Sequence, residues 1–192
     1  MTRSACAPTP GSSRSTTTSE IRAGTGGPSI RAARRHDAGA IARIFNQGID
    51  ERVATFETRP RSAAEIAGLI EAEALLLVAE RGGEVVAFAK LGPYDDPSHY
   101  YSGVGEATVY VERAARRSGV GAELLNALAD EAERWGYWKL VGKIFTSNEP
   151  SIALVRSCGW REVGVHRRHS RLDGEWKDVV VVERLIGDAA AP

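Results

Sequence analysis

Apolar positions along this chain change period several times, and each change marks a structural element. A short extended segment at 29–33 precedes Ile41, Ile44, Phe45 and Ile49, which recur at helical spacing. Asp37 falls in the first turn of that helix, where the backbone dipole favours an acid. The stretch RVATFET at 52–58 is too short and broken for a helix and reads as an ordered loop. Ser62 followed by Glu65 forms a capping box, which predicts a helix turning Ile66, Leu69 and Ile70 inward. Two apolar runs at 75–80 and 84–91, joined by Gly82-Gly83, predict a hairpin.

The next segment, 92–105, is rich in Gly, Pro, Asp and Tyr and reads as a long loop, a feature that is usually functional inside a compact domain. A strand is expected at 106–112, then a basic turn, then a helix over 120–135 with Leu124, Leu125, Leu128 and Ala132 on one face. A strand follows at 138–145, and then a short helix at 150–158, with Pro150 near its start where a missing N–H costs nothing. Segments 162–172 and 175–185 flank Asp173-Gly174 as a second hairpin. The order is β-α-α-β-β-β-α-β-α-β-β. A strand–helix–strand unit in the middle implies one parallel step inside a mostly antiparallel sheet. The expected class is α+β, a central mixed sheet flanked by helices.

Composition draws a boundary that the periodicity does not. Residues 1–29 are dominated by Ser, Thr, Gly and Pro, with Met1 and Ile21 the only large aliphatic side chains. Such a stretch cannot bury enough apolar surface to offset its ordering entropy, so it reads as a disordered tail. No apolar run follows Arg3, which excludes a secretory signal, and Pro8, Pro10 and the 24–28 cluster break any amphipathic transit helix. Residues 187–192 read as a shorter tail, leaving 30–186 as the folded domain.

The 25 Lys and Arg residues balance the 25 Asp and Glu residues of this 192-residue chain, which argues against a dedicated nucleic-acid binder. No apolar run approaches the roughly 18 residues of a membrane span. Cys6 and Cys158 supply neither a disulfide framework nor metal-ligand spacing. The expected protein is therefore soluble and cytoplasmic, without metal, nucleic acid or membrane as partner.

One motif carries chemistry. RRSGVG at 116–121 lies between a predicted strand and a predicted helix. Its glycines permit a tight turn and close backbone approach to a ligand, and the N–H groups opening the helix attract an anion. Arg116 and Arg117 add positive charge suited to phosphates. A Walker A loop requires Gly-Lys-Ser/Thr, whereas Ala122-Glu123 follows Gly121. A dinucleotide fingerprint requires a third glycine where Leu124 stands.

Arg116-x-x-Gly119-x-Gly121 after the strand ATVYV at 107–111 resembles the pyrophosphate-binding motif of the GNAT superfamily of N-acetyltransferases. The resemblance extends over about residues 30–186. VATFET at 53–58, GPY at 92–94, EATVYV at 106–111, NEPS at 148–151 and DGEWKD at 173–178 look like segments of the phosphinothricin N-acetyltransferase branch. Within that branch, FNQGI at 45–49, RVATFET at 52–58 and 163–172 look most like arsinothricin-resistance acetyltransferases. The resemblance implies a GNAT fold with splayed central strands, acetyl-CoA as co-substrate, an amino-acid-like acceptor amine and a homodimer.

It also implies roles. Glu106 corresponds to a general base, although by itself a carboxylate entering an apolar strand is equally an exposed strand end. Main-chain N–H groups near Val109 and Val111 would hold the thioester and pantetheine. Arg116, Arg117, Ser118, Gly119, Val120 and Gly121 would hold the pyrophosphate. Asn148, with Ser151 on the following helix, either binds cofactor or caps that helix. Phe56, Tyr94 and Tyr101 would line the acceptor site, with core packing the other reading for Phe56. Tyr110 and His166 are weak candidates for a general acid, which a thiol with pKa about 8.5 does not strictly require. Cys158, at a helix end, suits packing rather than nucleophilic attack, and Trp160 and Trp176 suit the core.

The chain departs from that branch in one place. The loop YDDPSHYY at 94–101 holds two acids and no Arg or Lys, where the branch generally carries a cation facing the acceptor. Contacts to an anionic acceptor then fall to His99, Tyr94, Tyr100, Tyr101 or to arginines from elsewhere. The expected activity is acetyl transfer to a small amino-acid-like amine, with resistance to an antimetabolite such as phosphinothricin or arsinothricin as its use. The alternatives are another amine, such as methionine sulfone, methionine sulfoximine or a protein N-terminus, and a non-catalytic acyl-CoA sensor.

Overall fold

The computed structural model describes residues 27–72, 75–94 and 100–191. The expected order of elements is present: β1 (Ser29–Ala32), α1 (Ala38–Glu51), α2 (Ala63–Glu71), β2 (Leu75–Arg81), β3 (Glu84–Pro93), β4 (Val104–Val111), α3 (Val120–Arg134), β5 (Lys139–Phe145), α4 (Glu149–Ser157), β6 (Arg161–Leu172) and β7 (Glu175–Leu185). Among the described residues these strands form one seven-stranded sheet in the order β1-β2-β3-β4-β5-β7-β6. Every neighbouring pair is antiparallel except β4 and β5, the parallel step expected from the strand–helix–strand unit.

The sheet carries helices on both faces, and β2 shows why an unbroken apolar run is needed there. Leu75, Leu77 and Ala79 pack into the core beneath α3, while the alternate Leu76 and Val78 pack beneath α1 and α2. A strand covered on both faces reads as continuously apolar rather than alternating. The inward faces of α1 and α3 are those anticipated, with Ile41, Ile44 and Ile49 of α1 and Leu124, Leu125, Leu128 and Ala132 of α3 buried. In α2 Ile66 is buried and Ile70 partly so, but Leu69, expected inward, is exposed. Ser62 caps α2 by accepting from the Glu65 N–H at 3.2 Å, and Glu65 returns a bond from the Ser62 N–H at 2.8 Å. The two hairpin turns place Gly82 and Gly83, and Asp173 and Gly174, at positive φ, as two-residue connections of twisted strands require.

Several details differ from expectation. Strand pairing begins at Ser29, inside the stretch read as tail, and Gly187–Ala190 forms a single 3-10 turn. The loop expected at 92–105 is shorter, because β3 continues through Pro93 and β4 starts at Val104; residues 95–99 lie outside the described residues, as do 1–26 of the tail. Trp176 is not in the core. It is half exposed and lies under the Arg171 guanidinium at 4.3 Å. No helix among the described residues is long and apolar enough to cross a membrane.

Asp37 does more than favour a helix dipole. It is buried and accepts both guanidinium nitrogens of buried Arg31, at 2.7 and 2.8 Å, and the Arg34 N–H at 2.7 Å. Arg31 also pairs with Glu80 of β2, so one cation ties β1, α1 and the sheet together. Burial alone pushes the Asp37 carboxyl up, but the Arg31 and Arg34 hydrogen bonds and the Arg31 charge outweigh it and hold the group below its usual value of 3.8. The stabilisation from this group is therefore complete above that value and is lost as pH falls through the lower folded-state value. Asp37→Ala strands a buried guanidinium with Glu80 as its only acid, and should cost about 3 kcal/mol in urea unfolding at neutral pH. The same variant should flatten the loss of stability as pH falls below the ordinary carboxyl value of 3.8. An unfolding midpoint equal to wild type would contradict the assignment.

Candidate active site

The parallel seam between β4 and β5 is short. Only Val104, Gly105 and Glu106 pair with Lys139, Leu140 and Val141. Beyond Glu106, β4 stays paired with β3 as far as Val111, and β5 stays paired with β7 as far as Phe145, so the two strands splay apart. Their alternation shows which groups face the opening. The Glu112 N–H donates to Val86 on the β3 side, and the Tyr94 N–H reaches the Val104 carbonyl. Even-numbered residues of β4 thus bond to β3, and the main-chain groups of Ala107, Val109 and Val111 point toward the gap. Within it they have no partner strand, although a main-chain polar group needs one.

The gap is a cleft lined by Glu106, Ala107, Thr108, Val109, Lys143, Asn148 and Ser151, among others. At its narrow end Gly142 has no room for a side chain, since a Cβ would stand 3.0 Å from Val182. Trp160 is buried against the same cleft, as expected of a core residue, and its indole N–H has no partner among the described residues.

The wide end of the cleft meets the 113–121 turn, and α1 holds that turn in place. Gln47 accepts the Arg113 N–H at 2.9 Å. Glu51, one helical turn along, accepts Arg113 Nε and Arg116 Nη2, both at 2.8 Å. Burial raises the Glu51 carboxyl, yet the Arg116 and Arg113 hydrogen bonds and charges outweigh this and lower it. Arg116 Nε also donates to the Val111 carbonyl at 3.3 Å, which commits this guanidinium to bracing the turn. Arg117 sits at φ 61, exposed and without an ion pair among the described residues. The Ser118 hydroxyl donates to the Ala115 carbonyl at 2.6 Å.

Gly119, at φ 84, is the N-cap of α3 and supplies no capping side chain, so the Val120 and Gly121 N–H groups donate to nothing among the described residues. Gly121 has a different reason for being small. A Cβ there would meet Leu154 at 3.1 Å and Val111 at 3.3 Å, so it lets α3 approach α4 and β4 rather than a ligand.

The remaining sequence candidates are spread around this frame. Asn148 caps α4, its Oδ1 accepting the Ser151 N–H at 3.2 Å, and its Nδ2 donates to the Val53 carbonyl at 3.0 Å. Phe56 packs edge-on against Phe145 at 4.7 Å in a small cluster with Leu172 and Val179. Tyr94 and Tyr101 pack edge-on against each other at 6.1 Å and do not line the cleft. The Tyr110 ring stacks on Phe88 at 5.3 Å, and Gly48 leaves room for it. Burial pushes the Tyr110 phenol up to about 12 against a lowering hydrogen bond with Thr55, and its hydroxyl donates to the Ala54 carbonyl at 3.4 Å. His166 and His169 lie together on β6, the outer strand. Cys158 is buried at the end of α4.

Two charged residues escaped the sequence reading. Glu51 shows only as one more polar position on the outer face of α1. Lys143 left a clearer signal, because it is a cation on the same face as Val141 and Phe145 of an inner strand. Its Nζ lies 2.8 Å from Glu106 Oε2.

Five residues of extended chain separate Glu106 from Val111, about 17 Å. A carboxylate stands at one end of this span, unpaired main-chain donors follow, and a bare helix N-terminus stands at the other end. That arrangement defines a class of proteins that take a long linear arm carrying an acyl thioester at its tip and phosphates at its base. The model of the Acetyltransferase (GNAT) family matches residues 41–160, and the chain belongs to that family. It is an N-acetyltransferase with acetyl-CoA as co-substrate.

The chain is 32% identical over 155 residues to the phosphinothricin N-acetyltransferase of Streptomyces viridochromogenes, covering 78% of this chain and 83% of that one. It is 30% identical over 167 residues to the L-methionine sulfoximine/L-methionine sulfone acetyltransferase of Salmonella typhimurium, covering 85% and 97%. The crystal structure of a GNAT superfamily phosphinothricin acetyltransferase from Sinorhizobium meliloti in complex with AcCoA superposes with a TM-score of 0.79 at 26% identity, covering 86% of this chain and 91% of the other.

The double duty of Asn148 yields a structural test. Asn148→Ala removes the α4 cap and the tie to the Val53 loop, and should lower unfolding free energy by about 1–2 kcal/mol in a denaturant titration. Stability within error of wild type would show that neither bond contributes.

Proposed function

We propose that this enzyme transfers the acetyl group of acetyl-CoA to the amino group of a small amino-acid-like compound, with Glu106 as general base. The observation that carries this reading is the position of Glu106, the last residue of β4 paired with β5, where the cleft opens and main-chain donors without a partner strand begin. An α-amino group with pKa about 8 arrives largely protonated, and its proton passes to the carboxylate directly or through one water. The nitrogen then attacks the thioester carbonyl, forming the N–C bond. The tetrahedral oxyanion is held by the Val109 main-chain N–H, with Val111 continuing the row of donors toward the pantetheine. Breaking the C–S bond releases a thiolate that takes up a proton, and with a thiol pKa of about 8.5 it needs no dedicated acid. The Val120 and Gly121 N–H groups and Arg117 hold the pyrophosphate, and Ser118 and Gly119 shape that turn. Arg116 braces it through Glu51. Asn148 and Ser151 form the wall of the cleft nearest α4.

The relatives that act on phosphinothricin and on methionine sulfoximine or sulfone support an amino-acid acceptor and a role in resistance to such antimetabolites, arsinothricin included. Phe56, Tyr94 and Tyr101 belong to the acceptor side of this reading. The outer strand β6 is exposed along most of its length, with Val163 and Val165 about half exposed, which supports a homodimer formed through that edge. A cytoplasmic site of action fits the need for acetyl-CoA.

Glu106→Gln should lower kcat by about 100-fold or more on the best acceptor of an amino-acid panel, with the affinity for acetyl-CoA preserved. Full turnover in that variant removes the base assignment. Wild type that binds acetyl-CoA and acetylates no member of the panel favours an acyl-CoA sensor instead. Gly119→Val places a β-branched residue at φ 84. It should weaken acetyl-CoA binding by about tenfold or more in a calorimetric titration, and unchanged affinity would detach the turn from phosphate binding.

A further inference from the structure

We propose that Lys143 binds the carboxylate of the acceptor, so that Lys143 and Glu106 together select a free zwitterionic α-amino acid over amines, amides and peptide N-termini. The inference rests on the reading of Glu106 as the group that meets the acceptor nitrogen. Lys143 Nζ and Glu106 Oε2 are 2.8 Å apart, and their side chains are 38% and 35% exposed, so the pair is open to an incoming molecule. Both residues line the cleft between the splayed strands, and among the described residues lining it Lys143 is the one basic side chain.

Its position is not that of a lysine free to wave in solvent. Val141, two residues earlier, is the register partner of Glu106, so alternation puts Lys143 on the Glu106 face of the sheet and one step further into the opening. The loop at 94–101 contains no Lys or Arg. Lys143 of β5 supplies a cation 2.8 Å from Glu106, while Lys90 of β3, the register partner of Thr108 on the same face, makes no ion pair with it among the described residues.

The spacing suits one chemical class. In an α-amino acid the ammonium nitrogen and the nearer carboxylate oxygen are roughly 3 Å apart, from standard bond lengths and angles. A zwitterion can thus lie antiparallel to the Lys143–Glu106 pair, its ammonium against the carboxylate and its carboxylate against the ammonium. Each charge exchanges one partner for another of the same sign, and no charge is left buried and unpaired. In that pose the acceptor nitrogen lies at Glu106, where proton removal is required. An amide or a peptide N-terminus offers the ammonium alone and leaves Lys143 without its new partner.

The test compares L-methionine sulfone with its carboxamide. Dissociation constants are measured by calorimetry with CoA bound, and kcat and KM by acetyl-CoA consumption. Wild type should prefer the free acid by about 10- to 100-fold. Lys143→Gln should raise Kd and KM for the acid so that the acid-over-amide ratio falls toward one, with the loss in KM rather than kcat. Lys143→Arg should keep the preference. A wild type that shows no preference, or a Lys143→Gln variant that keeps it, overturns the proposal. So does a Lys143→Gln loss that falls equally on acid and amide. The base assignment fails separately. If Glu106→Gln retains turnover while Lys143→Gln loses acid selectivity, carboxylate recognition stands and the base must be found elsewhere.

Discussion

Three residue pairs join β4 to β5, and the rest of the molecule is arranged around the divergence that follows them. Hydrogen-bonding groups on a strand are satisfied by a neighbour, so a strand that leaves its neighbour exposes a row of main-chain donors inside the protein. Here the row begins at Ala107, directly after Glu106. The sheet is kept whole on either side because β3 stays with β4 and β7 stays with β5 to the ends of those strands. Gly142 and Trp160 close the narrow end, and α3 enters at the wide end. The cleft thus has a carboxylate at one end and a bare helix N-terminus at the other, and fixed donors of this kind are what stabilise developing charge in acyl transfer.

Helix α1 is the second support. Its inner face, Ile41, Ile44 and Ile49, is ordinary core. Its outer face carries Gln47 and Glu51 to the 113–117 turn, so the helix that covers the sheet also sets the height of the loop from which α3 starts. The two arginines before the helix start therefore differ in situation. Arg116 spends its charge on Glu51, and Arg117, held at positive φ, remains outward. The buried Arg31–Asp37 pair anchors the opposite end of α1 to β1 and, through Glu80, to β2.

The elements were legible in the residues because each local signal agreed with its neighbours. The Ser62–Glu65 box, the paired turn glycines, the apolar faces of α1 and α3 and the Pro150 start all appear where expected. Position was legible where it depends on backbone form, as in the RRSGVG turn that opens α3 and the carboxylate that enters β4. Where side chains from distant segments meet, single residues misled. Trp176 is large and apolar, yet it lies half exposed under Arg171. Gly121 sits in a ligand-binding pattern, yet its missing side chain makes room for Leu154 and Val111.

Sequence alone determined the class of the fold, the order of elements along the chain, the parallel step and the family, since all of these follow from short-range periodicity, turn chemistry and contiguous motifs. Tertiary structure decided which charges meet. Glu106 and Lys143 are 37 residues apart, and Glu51 and Arg116 are 65 apart. No local pattern encodes such pairs, because they depend on the register of β4 against β5 and on the packing of α1 over the turn. The candidate phosphate turn is one contiguous hexapeptide. The cation beside the proposed base, absent from the loop where one was sought, emerged only when the parallel seam brought β5 alongside β4.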